Sequence, residues 1–497
     1  MGGGNQNYKR CKNVSRMNSN VPSYFFSMLA ASLALITRNA VSAADTRPNI
    51  VYIVADDLGW KDVGFNGAID IKTPNLDKLA ETGARFEQFY AQPMCTPTRA
   101  ALLTGRYPNR YGLQTIVIPS VSTYGLATDE WLLPQALQEA GYQTAIIGKW
   151  HLGHGELKYW PKQRGFDHQY GPLIGELDYF THEEHGVVDW YRDNKLVREK
   201  GYTTTLLGDD AVKYVNERTA TTPFFLYLAL NAPHTPYQAP QEYVDRYKNI
   251  EDPTRRIYAA MVTCLDDQIG RVIEALEKKK LRGNTLIFFQ SDNGGTRNAM
   301  FSGVMADMSK IKIPCDNGPY REGKGTLYEG GTRVCALANW PGHIPAGITV
   351  KEMIHVVDMY PTLAKLAGAS TAKCKPFDGL DVWDTISEGK TSPRTEIVYN
   401  VEPFRAAIRQ GDWKLIWRTV LPSSVELYNI AQDPSEKNNV AADHPDKVAD
   451  LQKRVEELAR ESAKPLFLID QFKAMQKGLQ GEPALPNEDA YYEKEGP

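Results

Sequence analysis

Asp56-Asp57 and Asp292-Asn293 lie far apart in the chain, yet both are adjacent oxygen donors with no thiolate and no His-x-x-His pairing beside them. Oxygen-only donors suit a hard cation, calcium or magnesium, better than zinc. Two neighbouring carboxylates repel each other, and a divalent ion relieves that repulsion; the alternative is a helix cap with a surface charge next to it. A third segment, Pro93-Met-Cys95-Thr-Pro97-Thr-Arg99-Ala-Ala-Leu-Leu-Thr-Gly105-Arg106, sets a cysteine four residues before an arginine. Pro93 and Pro97 fit a loop entering a helix, residues 98–104 its body and Gly105 its stop. A thiol near a positive helix end and beside a guanidinium is expected to be activated and to face an anion; a buried structural cysteine is the alternative.

Something must bring these segments together. Asn49-Ile-Val-Tyr-Ile-Val-Ala runs into Asp56-Asp57, and Thr144-Ala-Ile-Ile-Gly into Lys149-Trp150-His151. Pro223-Phe-Phe-Leu-Tyr-Leu-Ala-Leu leads to Asn231-Ala-Pro-His234, and Thr285-Leu-Ile-Phe-Phe-Gln-Ser to Asp292-Asn293. Short apolar runs rich in β-branched and aromatic residues read as strands buried on both faces, as in a parallel sheet. Helix-like stretches at 73–82, 132–140 and 256–278 separate them, so the fold class is α/β with a large doubly wound, mostly parallel sheet. Ligands of such sheets bind outside the carboxyl ends of the strands. One polar residue after a strand is ordinarily a turn or a cap, but four such coincidences imply one shared site.

Cys95-Thr-Pro97-Thr-Arg99, followed by Ala-Ala-Leu-Leu-Thr-Gly-Arg, resembles the signature of type I sulfatases. Asp56-Asp57, Gly148-Lys149-Trp150-His151-Leu152-Gly153, Ala232-Pro233-His234-Thr235-Pro236, Asp292-Asn293-Gly294-Gly295 and Gly323-Lys324 occur in the family's order, over nearly the whole chain after the amino terminus. The resemblance implies an alkaline-phosphatase-like fold and oxidation of Cys95 to Cα-formylglycine by a formylglycine-generating enzyme. It implies one calcium, or magnesium, held by Asp56, Asp57, Asp292, Asn293 and residue 95. Arg99, Lys149, His151, His234 and Lys324 would complete the pocket, hydrolysing a sulfate ester through a formylglycine-sulfate intermediate. His234 with Lys324 would protonate the leaving alcohol, and His151 would take a proton as sulfate departs. Without the family, Lys324 reads as a surface loop charge. Gly175-Glu-Leu-Asp178-Tyr179-Phe180-Thr-His182-Glu and Leu327-Tyr328-Glu329-Gly330-Gly331-Thr-Arg333 are similar to the arylsulfatase B group, which implies 4-O-sulfate of N-acetylgalactosamine in chondroitin or dermatan glycans. Algal sulfated galactans are the alternative substrate, and a phosphodiesterase or phosphonate hydrolase on the same fold the rival activity. A sulfated-glycan binder with an unconverted Cys95 is a rival of another class. Trp150, Tyr179 and Trp190 could stack on a sugar ring or pack in the core.

Across 497 residues, 42% hydrophobic and 24% charged, the net charge is −3. That balance gives no electrostatic reason to expect nucleic acid or an anionic membrane, and the apolar content excludes a disordered chain. Residues 1–43 read as an export signal: Lys9, Arg10, Lys12 and Arg16, an apolar stretch too short to span a bilayer, then Val41-Ser42-Ala43. The expected enzyme is exported, periplasmic or secreted if bacterial and lysosomal or secreted if eukaryotic, and free of the membrane once the signal is cleaved. The lone sequon, Asn13-Val14-Ser15, falls inside that signal. Five cysteines then remain, an odd number, so at least one is unpaired. The sulfatase domain is expected over 44–390. A small C-terminal α+β subdomain follows over 391–480, with antiparallel strands near 396–399, 405–409 and 413–417, a turn at Gly411-Asp412 and an amphipathic helix over 447–462. A loose tail over 481–497 ends the chain.

Overall fold

Each of the four apolar runs becomes a strand. Thr285–Ser291, Asn49–Ala55, Phe224–Ala229 and Gln143–Gly148 lie side by side in that spatial order, all parallel, at the centre of a ten-stranded sheet. The computed structural model describes Met1, residues 47–297 and residues 313–480; the expected signal and tail fall outside these. Along Asn49–Ala55, Ile50, Tyr52 and Val54 enter one apolar cluster while Val51, Ile53 and Ala55 enter another. Alternation to two buried faces is what a continuous apolar strand must do, and it makes the sheet doubly wound. One face is covered by the helices Cys95–Thr104, Leu133–Glu139 and Met359–Leu366, the other by Thr203–Asn216 and Pro253–Lys278. Asp252 opens the last of these by accepting hydrogen bonds from the Thr254 and Arg255 amides.

Six shorter strands widen the sheet. Ala336–Asn339, Ala84–Phe86 and Ile348–Val350 extend it beyond Thr285–Ser291, and His168–Gly171, Tyr191–Arg192 and Lys195–Leu196 beyond Gln143–Gly148. Ala336–Asn339 and Tyr191–Arg192 run antiparallel to both their neighbours, so the sheet is mixed at its flanks.

The later chain forms a four-stranded antiparallel sheet from Glu396–Val401, Arg405–Gln410, Trp413–Arg418 and Ser424–Asn429, one strand more than the sequence shows. Gly411-Asp412 makes the expected turn between the second and third. Leu451, Val455 and Leu458 of the helix Pro445–Arg460 pack on one face of this sheet, among Val398, Ile408, Leu415 and Leu427. Its other face joins Tyr90, Leu327 and Tyr328 of the large sheet's connections. The described residues 47–297 and 313–480 belong to one compact unit. All five cysteines among the described residues are free thiols. No described helix is long and apolar enough to cross a membrane.

Candidate active site

Four parallel strands ending on one edge deliver Asp56-Asp57, Lys149, Asn231–His234 and Asp292-Asn293 to one place. Asp56 and Asp57 follow the central strand directly; the Asp57 backbone turns into the left-handed region (φ 63°) and its amide donates to Asp292 Oδ1 at 3.2 Å. Every one of the ten positions taken from the resemblance falls in this buried cluster.

Cys95 is the first residue of its helix, three residues earlier than the sequence suggests, and Gly105 caps the other end. Its thiol donates to Asp56 Oδ1 at 3.3 Å. Burial, with the charges of Asp292 and Asp56, pushes the thiol's pKa well up, and the opposing pull of Lys149 and Lys324 does not win. The expectation of an activated thiolate is therefore corrected: burial first, and then the two carboxylates, favours the protonated thiol.

Arg99 is clamped rather than free. Its Nε and Nη2 donate to Asp292 Oδ2 at 3.2 and 2.9 Å, and Nη1 donates to the Lys149 carbonyl at 3.0 Å. Lys149 Nζ donates to Asp56 Oδ2 at 2.5 Å. Lys324 Nζ donates to Asp57 Oδ2 at 2.8 Å and stands 3.1 Å from His234 Nε2. His234 Nδ1 lies 2.7 Å from the Thr235 carbonyl, an acceptor only, so Nδ1 carries the proton and Nε2 presents a lone pair to Lys324. Burial and the Lys324 charge hold the His234 pKa down, to about 4. His151 is likewise neutral, its pKa driven well down by burial and then by Lys149 and Arg99; its ring Nδ1 is buried without a hydrogen-bond partner.

The donors fit a divalent cation. Ligand atoms of Asp56, Asp57, Cys95 and His234 all lie within 4.8 Å of one another. Asn293 Nδ2 donates to Asp57 Oδ1 at 2.7 Å, which leaves its Oδ1 buried and unpartnered. An orphaned buried carbonyl beside crowded carboxylates is what an oxygen-preferring ion would satisfy. Burial, with Asp56 beside it, raises the Asp292 pKa to about 6, a second sign of unrelieved negative charge.

A family model described as Sulfatase matches residues 48–369, and one described as N-sulphoglucosamine sulphohydrolase, C-terminal, matches 322–463. The chain belongs to the sulfatase family. Arylsulfatase J of Mus musculus is 37% identical over 78% of this chain, which spans 64% of that relative's length. N-acetylgalactosamine-6-sulfatase of Sus scrofa is 35% identical over 74% of this chain and 71% of its own. Ps i-CgsB, solved in complex with k-i-k-neocarrahexaose, superimposes with a TM-score of 0.77 at 35% identity, covering 90% of this chain and 100% of that one. The alkaline-phosphatase-like fold of the family is thus shared.

One residue that sequence reasoning passed over, Thr96, and three aromatic candidates surround the site. Thr96 Oγ1 donates to the His151 carbonyl at 2.9 Å and accepts from the Ile118 amide, fixing the loops beside Cys95. Tyr179 is buried, its hydroxyl hydrogen-bonded to the Asn231 and His234 carbonyls. Trp150 and Trp190 are buried too, Trp150 edge-on to Phe166 and Trp190 stacked with His182. None of the three is open to a sugar ring, so of the two expectations the core-packing one holds for all of them.

Proposed function

We propose that this sulfatase hydrolyses O-sulfate esters of a carbohydrate, with the pocket around Cys95 as its centre. One observation carries the reading: Arg99, Lys149, Lys324, His151 and His234 converge on a buried cysteine that is itself no thiolate nucleophile. Converted to formylglycine by a formylglycine-generating enzyme and hydrated, residue 95 would supply the attacking oxygen. A calcium or magnesium ion held by Asp56, Asp57, residue 95, Asp292 and Asn293 would neutralise the sulfate and polarise its oxygens. The chain's side chains do the rest. Arg99, immobilised by Asp292, and the Lys149 ammonium are fixed positive charges that need no reorganisation as negative charge moves onto the leaving oxygen. Lys324 and His234 share a proton across 3.1 Å and can deliver it to that oxygen. His151, kept neutral, can accept a proton at the unpartnered ring nitrogen.

The names of the relatives support 6-O-sulfate of N-acetylgalactosamine ahead of the 4-O-sulfate expected from the arylsulfatase B likeness, and that is the substrate we propose. A galactan reading stands second, supported by the full-length match to a structure holding a neocarrahexaose. The test is sulfate release by protein co-expressed with a formylglycine-generating enzyme. The substrates are N-acetylgalactosamine 6-sulfate, the 4-sulfate and neocarrahexaose. We expect release from the 6-sulfate, none from Cys95→Ala, and loss on chelation that calcium or magnesium reverses. Restoration by zinc alone, with phosphodiester cleavage, would replace this reading by the phosphodiesterase one.

A further inference from the structure

The pocket grades from closed to open. Asp56, Arg99 and Lys149 at its floor are fully buried, His151 and Lys324 are 4% exposed, and His234 is 8% exposed. An ester with its sulfate on that floor therefore sends its sugar out past the histidines. Beyond them stands Glu176, half-buried. Its Oε1 accepts a hydrogen bond from Thr235 Oγ1 at 3.3 Å, and Thr235 also carries the carbonyl that fixes His234. On its other side Gly175 lies flat against the His151 ring, so close that a Cβ there would sit 2.3 Å from His151 Cε1. Glu176 thus stands in a segment that touches both histidines, close enough to His234 to act on its charge. Among the described residues no lysine or arginine forms an ion pair with it.

Other contacts hold the loop that carries it. The loop is held by backbone bonds from the Trp150 and His151 amides to the Pro172 and Leu173 carbonyls. Asp189 adds a further hold by accepting from the Leu173 and Ile174 amides at 3.1 and 2.8 Å. A carboxylate is an acceptor only, with two oxygens that match neighbouring hydroxyls, and it repels a second anion. We propose that Glu176 determines specificity for the leaving group: it accepts a hydrogen bond from a free hydroxyl near the sulfated position, the 4-hydroxyl in 6-sulfated N-acetylgalactosamine, and turns away rings that carry a second sulfate on that hydroxyl. A site built to bind a hydroxyl rejects analogues without one strongly, because its polar group is left unpaired. The inference rests on the sulfatase reading above.

The test compares kcat/KM of wild type, Glu176→Gln and Glu176→Asp, each converted at position 95. The substrates are N-acetylgalactosamine 6-sulfate, its 4,6-disulfate and 4-nitrophenyl sulfate, which has no hydroxyls. In Glu176→Gln the ratio of 6-sulfate to aryl sulfate falls at least tenfold, chiefly through KM, and the preference for the 6-sulfate over the disulfate shrinks. Glu176→Asp recovers part of both. Ratios within twofold of wild type, including an equal loss on every substrate, overturn the proposal. A wild type that releases sulfate from none of the three overturns the sulfatase reading itself, a separate result.

Discussion

Lys324 shows how far a single residue's role depends on contacts that leave no local trace. Its ammonium donates to Asp57 and stands against His234, yet Arg-Glu-Gly-Lys-Gly is an ordinary polar loop in sequence. Two backbone bonds put it in place: Lys324 N to the Gly295 carbonyl and Gly325 N to the Pro93 carbonyl. Both partners are remote in sequence, so only the family resemblance makes Lys324 legible. Cys95, Arg99 and the acidic pairs carry their own signals, since strand ends and a Cys-x-Pro-x-Arg segment are visible in one dimension. Lys324→Met is expected to lower kcat on an accepted sulfate ester by roughly 10²–10³-fold, the usual loss for one fixed electrostatic donor. Near-ultraviolet circular dichroism should stay native. A drop of less than tenfold would remove Lys324 from the proton relay.

At the scale of elements, the site is accurate because backbones touch. Gly148 ends its strand at φ 112°, where a Cβ would lie 1.9 Å from the Ala229 carbonyl oxygen. That glycine lets the chain turn at once, so the Lys149 amide donates to the same carbonyl at 2.8 Å. Gly148→Ala combines a left-handed backbone with a backbone clash, and should cost about 3 kcal/mol or more. The thermal midpoint should fall and sulfate release should drop with it, because Lys149 rides on the distorted turn. An unchanged midpoint would mean that the strand end adapts. The four central strands were readable because burial on both faces demands unbroken apolar runs. The short flanking strands were not: Ala84–Phe86 and Tyr191–Arg192 have too few residues for any period to show, and only pairing defines them. The helix Leu466–Leu479 escaped notice for a different reason, since none of its residues is buried and its apolar residues mark no core-facing stripe.

On the whole-molecule scale, the small sheet is joined to the large one by buried charge as well as by apolar packing. Lys414, on the strand Trp413–Arg418, lies 2.9 Å from both Glu329 Oε1 and Glu436 Oε1, all three fully buried. Glu436 also accepts the Glu329 amide at 2.6 Å, and Arg405 donates to the carbonyl of Gly325, next to Lys324. One ammonium cannot fully satisfy two carboxylates, and the strain falls unevenly. Burial and the neighbouring Glu329 push the Glu436 pKa up to about 7, while Lys414 and Arg333 outweigh burial and draw Glu329 down to about 2. A carboxyl raised on folding contributes stability below its unfolded pKa, and the contribution is lost as pH rises through the folded value; a lowered one contributes above its unfolded pKa and is lost as pH falls. Docking should therefore be firmest near the ordinary glutamate pKa and should weaken from there toward pH 7, because the folded protein keeps on Glu436 a proton that the unfolded chain has released. Glu436→Gln holds that position neutral, so its thermal midpoint should fall less than the wild type's over that interval. Parallel declines would show that the pH dependence arises elsewhere. A level wild type would show that Lys414 keeps both carboxylates ionised. In the expected case, part of the protein's pH-dependent stability is set far from the active site, by a joint that also steadies the loop bearing Lys324.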